Sequence, residues 1–145
     1  MNFIDLFCST QGRVGRGLYW SIFGIWLVVD ILLRVAVNIV SAFTPDERII
    51  AIPFWIWVAF GIASYFPMTA LLVKRLHDTG RSGYWTAFQH VFLISVLMMV
   101  AALARMSASM LMWFLLILLC MLGMLVVFVF SLMESDGSNE YGVAP

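Results

Sequence analysis

From residue 91 to residue 133 the chain is apolar almost without a break; apart from the single serines Ser95 and Ser131, the only polar break is Arg105-Met106-Ser107-Ala108-Ser109. A single helix over that stretch would run to about 65 Å at 1.5 Å per residue, roughly twice the depth of a bilayer core. The run must therefore turn back on itself near residues 105–109. Two further apolar runs precede it. The chain thus divides into four segments, 18–43, 49–73, 84–104 and 110–133, each near or above the ~20 residues needed to cross lipid. Only 11% of residues are charged and 63% are hydrophobic, against about a quarter charged in a soluble domain. With a mean hydropathy of +1.02, this composition needs lipid as its solvent. The expected fold is an all-α membrane protein of one domain, 1–145, with four transmembrane helices and no internal repeat.

Charge sets the expected orientation. In a four-span chain the N-terminal segment, the central connection and the C-terminal tail share one side, which carries Arg13, Arg16, Lys74, Arg75 and Arg81. The other side carries Arg48 and Arg105. Five cations against two place both termini in the cytoplasm by the positive-inside rule. Trp20, Tyr84 and Trp85 fall at that boundary, where amphipathic rings prefer to sit. Phe3, Ile4, Leu6 and Phe7 suit a short N-terminal segment lying along the interface. No cleavable signal peptide is expected, since the first apolar run is too long for one and lacks a small-residue cleavage site. Leu6-Phe7-Cys8-Ser9 has no hydrophobic segment before it and is not read as a lipoprotein box.

The densest polar tract is Lys74-Arg75-Leu76-His77-Asp78-Thr79-Gly80-Arg81-Ser82-Gly83, which holds three of the eight cations. The helix before it is expected to end near Val73, with Lys74 and Arg75 favoured beside its last carbonyls. Ser82 suits the N-cap of the next helix, with Gly80 and Gly83 allowing a tight backbone. Asp5, Asp78, Glu134, Asp136 and Glu140 share the face with its five cations. An internal ion-pair network tying tail to loop is therefore the first reading. A phosphate or lipid-headgroup site, gripped by a fork of Arg75, Arg81 and Arg13, is the second. A protein-docking surface is the third.

His77 beside Asp78 permits acid–base chemistry, and Ser82 is the nearest nucleophile, but no recognised catalytic frame surrounds them. His77, His90 and Cys8 lack zinc spacing, and Cys8 and Cys120 make no disulfide framework. No metal or cofactor is expected. A zero net charge and the absence of phosphate-loop or nucleic-acid motifs exclude nucleic acid as a partner.

Inside the first span, Asp30 and Arg34 stand four residues apart on one helix face, acid before base. Pairing offsets much of the cost of an ion in lipid, and Arg34 has the length to snorkel outward. The pair is either a packing bridge or part of a hydrated path, with Asn38 extending the stripe. In the second span, Pro67 should kink or end the helix, and Ala59-x-x-x-Ala63 offers a close-contact stripe. The fourth span, with only Cys120 and Gly123 to mark it, reads as a lipid-facing wall.

Three segments together resemble a known family. They are Gly12-Arg13-x-x-Arg16-x-x-Tyr19-Trp20; Arg75-Leu76-His77-Asp78-x-Gly80-Arg81-Ser82-Gly83-Tyr84-Trp85; and Gly137-x-Asn139-x-Tyr141-Gly142-x-x-Pro145. In order and placement they are similar to the small bacterial inner-membrane proteins called domain of unknown function 805. The resemblance implies four spans, cytoplasmic termini and a bacterial inner (plasma) membrane location, and it implies no defined activity. Leu18, Glu140, Val143 and Ala144 depart from the family's usual residues.

Three functions follow in order of expectation. The first is a non-enzymatic, self-associating membrane module. Its cytoplasmic face, formed by Arg13, Arg16, Arg75, His77, Asp78, Arg81, Ser82, Asn139 and Tyr141, binds a partner protein or a small anionic ligand. The second is a homo-oligomeric channel or transporter using Asp30 and Arg34. The third is a membrane-proximal enzyme using His77 and Asp78.

Overall fold

The computed structural model describes residues 2–104 and 110–143. In chain order the helices are α1 (Phe3–Cys8), α2 (Arg16–Phe43), α3 (Glu47–Asp78), α4 (Ala87–Ala104) and α5 (Met110–Leu132), with a 3-10 turn at Gly83–Thr86 entering α4. Among the described residues four helices are long and apolar enough to cross a membrane, which makes this an all-α membrane protein. The turn expected at Arg105-Met106-Ser107-Ala108-Ser109 lies outside the described residues, as do Ala144 and Pro145.

The chain divides into two units, with the boundary inside α3. Among the described residues the first holds 2–11 and 17–71 and is built on α2 paired antiparallel with α3. Asp46 caps the entry to α3. Its carboxylate accepts from the Arg48 N–H at 2.9 Å and its carbonyl from Ile50 N–H, satisfying donors that a helix start leaves open. Two indoles bridge the pair. Trp26 Nε1 donates to Ser64 Oγ, and Trp57 Nε1 donates to Asp30 Oδ1, each at 2.9 Å. Trp26 also stacks on Phe60. The cross-helix contacts run through Trp57, Phe60 and Ser64, whereas Ala59 and Ala63 are exposed.

Helix α3 continues through Pro53 and Pro67 and does not stop at Val73; it ends at Asp78. The stop is glycine chemistry. Gly80, at φ +67°, follows the helix in the left-handed region, with Gly80 N–H donating to His77 O and Arg81 N–H to Leu76 O. That 5→2 and 6→1 pairing is the Schellman closure, which favours glycine at its left-handed position. The last turn of α3 therefore carries the charged tract in helical geometry, which the end of the apolar run does not foretell.

The second unit holds residues 12–16 and 72–143, with α4 packed on α5. A buried stripe on α5 runs through Ile117, Cys120, Gly123, Val127 and Ser131, at spacings of three and four. A Cβ on Gly123 would lie 2.2 Å from the Phe88 ring, so glycine is what lets the two helices approach. Ser95 on α4 is fully buried and returns its hydroxyl to Val91 O at 2.6 Å. The fourth span is thus not a uniform lipid-facing wall. One side packs on a neighbour, and small residues mark it.

Candidate functional site

In the second unit the charged tract folds into a knot around Asp78. The last turn of α3 places Lys74, Arg75 and Asp78 in positions with no exposure, and Arg13, from the segment before α2, reaches the same place at 7%. Asp78 Oδ1 accepts from Arg13 Nη2 at 2.9 Å and Nε at 3.2 Å. Its Oδ2 accepts from Arg75 Nη1 and from Ser135 Oγ. Four donors saturate the carboxylate, so it is buried as a fully hydrogen-bonded anion.

Arg13 is equally committed. Beyond Asp78 its Nη1 donates to Gly137 O at 2.7 Å and Gly142 O at 2.9 Å, and its Nη2 to Asp78 O and Asp136 O. Every N–H of its guanidinium meets the protein's own oxygens. Arg75 donates from Nε to Ser131 O at 3.1 Å and from Nη2 to Met133 O. Arg16 Nη1 approaches Leu132 O at 3.4 Å. Those carbonyls belong to the end of α5, where the helix dipole is negative and the last acceptors lack intrahelical partners. Two buried arginines, Arg13 and Arg75, flank one buried carboxylate here, and open helix-end carbonyls help to stabilise the excess positive charge.

The tail closes over this turn. Asp136 N–H donates to Asp78 O at 2.8 Å, and Asn139 Nδ2 donates to His77 O at 3.0 Å. Asn139 Oδ1 also accepts from Tyr141 N–H, a local turn that presents the Tyr141 ring face to face with His77, centroids 3.9 Å apart. His77 Nδ1 lies 3.3 Å from Gly12 O. The Tyr141 hydroxyl is held by Glu140 and pushed above its usual value, chiefly because that carboxylate accepts its proton, while a hydrogen bond to Ser82 works the other way.

Eight of the nine polar-face residues expected from the sequence meet here: Arg13, Arg16, Arg75, His77, Asp78, Asn139, Tyr141 and, through the Tyr141 hydroxyl, Ser82. Arg81 stands apart, and Ser82 has a second use. Arg81 lies past Gly80, exposed, with its guanidinium 4.7 Å from the Phe130 ring centre. Ser82 caps the 3-10 turn by accepting from Tyr84 N–H. The fork of three arginines is not assembled, because Arg81 points to an aromatic face and the other two have their donors occupied. Ser135 and the carbonyls of Asp136, Gly137 and Gly142 complete the knot and were not foreseen. Only the polar, turn-forming character of the tail, with Gly137, Asn139 and Gly142, hinted at them.

The intramembrane pair belongs to the first unit. Arg34 Nε donates to Asp30 Oδ2 at 2.8 Å, and its guanidinium lies 5.0 Å from the Trp57 ring centre. Trp57, missed in the sequence, completes the pair by donating to the other carboxylate oxygen. The Arg34 side chain runs back toward Asp30 and does not snorkel toward the nearer helix end.

A family model described as Protein of unknown function (DUF805) matches residues 7–110, which include Arg13, Arg16 and the tract from Arg75 to Trp85 but not the tail. The chain is 27% identical over 136 residues to Inner membrane protein YhaI of Escherichia coli K12, covering 93% of this chain and 84% of that protein. It is 32% identical over 79 residues to Uncharacterized protein YiiR of the same organism, covering 53% of this chain and 46% of YiiR. No solved structure matches.

Proposed function

The chain belongs to the DUF805 family of membrane proteins, and from that premise we propose that it is a non-enzymatic inner-membrane module, with both termini in the cytoplasm, whose polar face docks a partner protein. One observation carries the reading: the hydrogen-bonding capacity of Asp78 and Arg13 is spent on the chain's own groups. A general acid or base needs a free valence within reach of substrate. A phosphate site needs an open guanidinium edge. The knot offers neither, and its effect is to hold the tail in one fixed shape.

What faces outward is the rim. Tyr84 is 89% exposed, and Arg81, Glu134 and Glu140 are exposed as well. An aromatic ring among charges of both signs suits a protein partner better than an anionic ligand. The cytoplasmic placement rests on the five-to-two distribution of cations.

Photo-crosslinkers installed in cells at Tyr84 and Glu140 test the reading. A discrete adduct with one other polypeptide is expected from both positions. It should disappear in an Arg81→Glu/Glu140→Lys variant that still inserts and keeps its tail protected. Hydrolytic turnover by the purified chain, or a phosphate-bearing molecule that competes the adduct away, would overturn it. So would reporter fusions that place residues 77 and 143 outside the cytoplasm.

A further inference from the structure

One edge of α2 keeps open hydrogen-bonding groups at three successive depths. Arg34, Asn38 and Ser41 stand about 13, 8 and 3 Å of helix short of Phe43, within about 60° of arc. All three are exposed, the Arg34 side chain by 59%, and past them Asp46, Glu47 and Arg48 are exposed at the link to α3. Arg34 spends Nε on Asp30; among the described residues no group accepts from its two Nη nitrogens. Asn38 donates through Nδ2 to Arg34 O at 3.0 Å, and its Oδ1 has no donor among those residues. Ser41 donates to Asn38 O and keeps its oxygen as an acceptor.

Lipid tails cannot serve these groups, because hydrocarbon offers neither donor nor acceptor. The bond to Asp30 and the Trp57 ring hold the guanidinium toward the helix middle, away from headgroups beyond Phe43. A charged side chain at such depth that is not packed inside the protein lies on water-filled space. The spacing suits water as well. From Ser41 to Asn38 and from Asn38 to Arg34 the helix rises about 4.5 and 6 Å, and one water with two hydrogen bonds of about 2.8 Å spans such a step. Donors and acceptors alternate along the edge, and water alone supplies both at every depth.

We infer that water entering from the side of the link at residues 44–46 fills a notch along this edge of α2 as far as the Arg34 guanidinium. The notch is closed below. Asp30 is buried and takes the Trp57 indole N–H on Oδ1, and one turn further in Trp26 donates to Ser64 and stacks on Phe60. Arg34 therefore offers its open donors to one side of the membrane only, the side opposite the polar face. The notch is built from α2 and α3 alone and is independent of the docking face proposed above.

Solid-state NMR of the unaltered chain in lipid bilayers reads the notch directly. Magnetisation from water should reach the Arg34 Nη nitrogens, and magnetisation from acyl chains should not. Thiol labelling gives a second reading in a Cys8→Ala/Cys120→Ala background. A membrane-impermeant reagent, added on the side where it labels Glu47→Cys, should react with Asn38→Cys about ten-fold faster than with Ile39→Cys, since the reactive thiolate forms only where water solvates it. Residues 38 and 39 share a depth and lie about 100° apart around the helix. Transfer to Arg34 from acyl chains, lipid phosphorus or a second polypeptide in place of water overturns the inference. Equal labelling at residues 38 and 39, or labelling of residue 38 from the opposite side, does so as well. The NMR reading decides on its own where a cysteine variant fails to insert.

Discussion

Replacing Arg13 by methionine probes the knot at its most connected side chain. Methionine keeps much of the apolar stem but removes Nε and both Nη nitrogens, and with them the contacts to Asp78, Asp136 O, Gly137 O and Gly142 O. Stripping a buried ion of its partner costs about 3–5 kcal/mol. Asp78 keeps Arg75 and Ser135 as donors, which lowers the cost. The side chains of Arg13 and Asp78 are 2% and 0% exposed, so solvent screening does little to reduce it. The tail carbonyls regain water when the tail lifts, and each bond from a charged donor is worth about 1.5–3 kcal/mol net. About 3 kcal/mol is a fair sum, and it falls on tail opening because the α4–α5 contact is untouched. At 1.4 kcal/mol per decade, the open population rises roughly a hundred-fold. Amide hydrogen exchange in lipid nanodiscs reads this directly. The N–H groups of Asp136, Asn139 and Gly142 should exchange about a hundred times faster, while α4 and α5 stay protected. The double variant Arg13→Met/Asp78→Asn should cost less than the sum of the two single changes. Unchanged tail exchange, or strict additivity, would refute the geometry of the knot.

Two further outcomes follow from the packing. Gly123→Leu forces side-chain atoms into the Phe88 ring, since even a Cβ would lie 2.2 Å from it; overpacking of this kind costs about 1–3 kcal/mol, read as a lowered midpoint in denaturing-detergent titration. Trp57→Phe keeps a ring beneath Arg34 but withdraws the indole donor from Asp30 Oδ1. The loss should be near the ~0.6 kcal/mol average for membrane hydrogen bonds, with about 1.7 kcal/mol as its ceiling, measured by the same titration.

The spans were legible because partition into lipid depends on local composition, and four apolar runs announce themselves. The extent of α3 was not. Its apolar run stops at Val73, but Lys74, Arg75 and Leu76 are good helix formers and the left-handed Gly80 sets the true end. The packed face of α5 was hidden for a different reason. Lipid tails and a neighbouring helix are equally apolar, so hydropathy cannot separate them. Only the small residues Cys120, Gly123 and Ser131 mark the inner side.

The site was half legible. Arginines, a histidine and an aspartate in one tract, with a second arginine cluster and a polar tail, pointed to a common place, and most of them meet there. Arg81 could not be told from Arg75 by type. The turn at Gly80 separates them, leaving one beside Phe130 and the other against the end of α5. The acceptors that saturate Arg13 are main-chain carbonyls, and a carbonyl has no letter in the sequence.

The amino-acid order alone determined that this chain lives in a membrane, crosses it with four helices and gathers its charges into a few short segments. Transfer from water to lipid sums over neighbouring residues, so no fold is needed to evaluate it. The tertiary structure decided which charge neutralises which. That choice depends on directional hydrogen bonds between segments as far apart as Arg13 and Gly142, and it turns a set of open cations into a closed and satisfied knot.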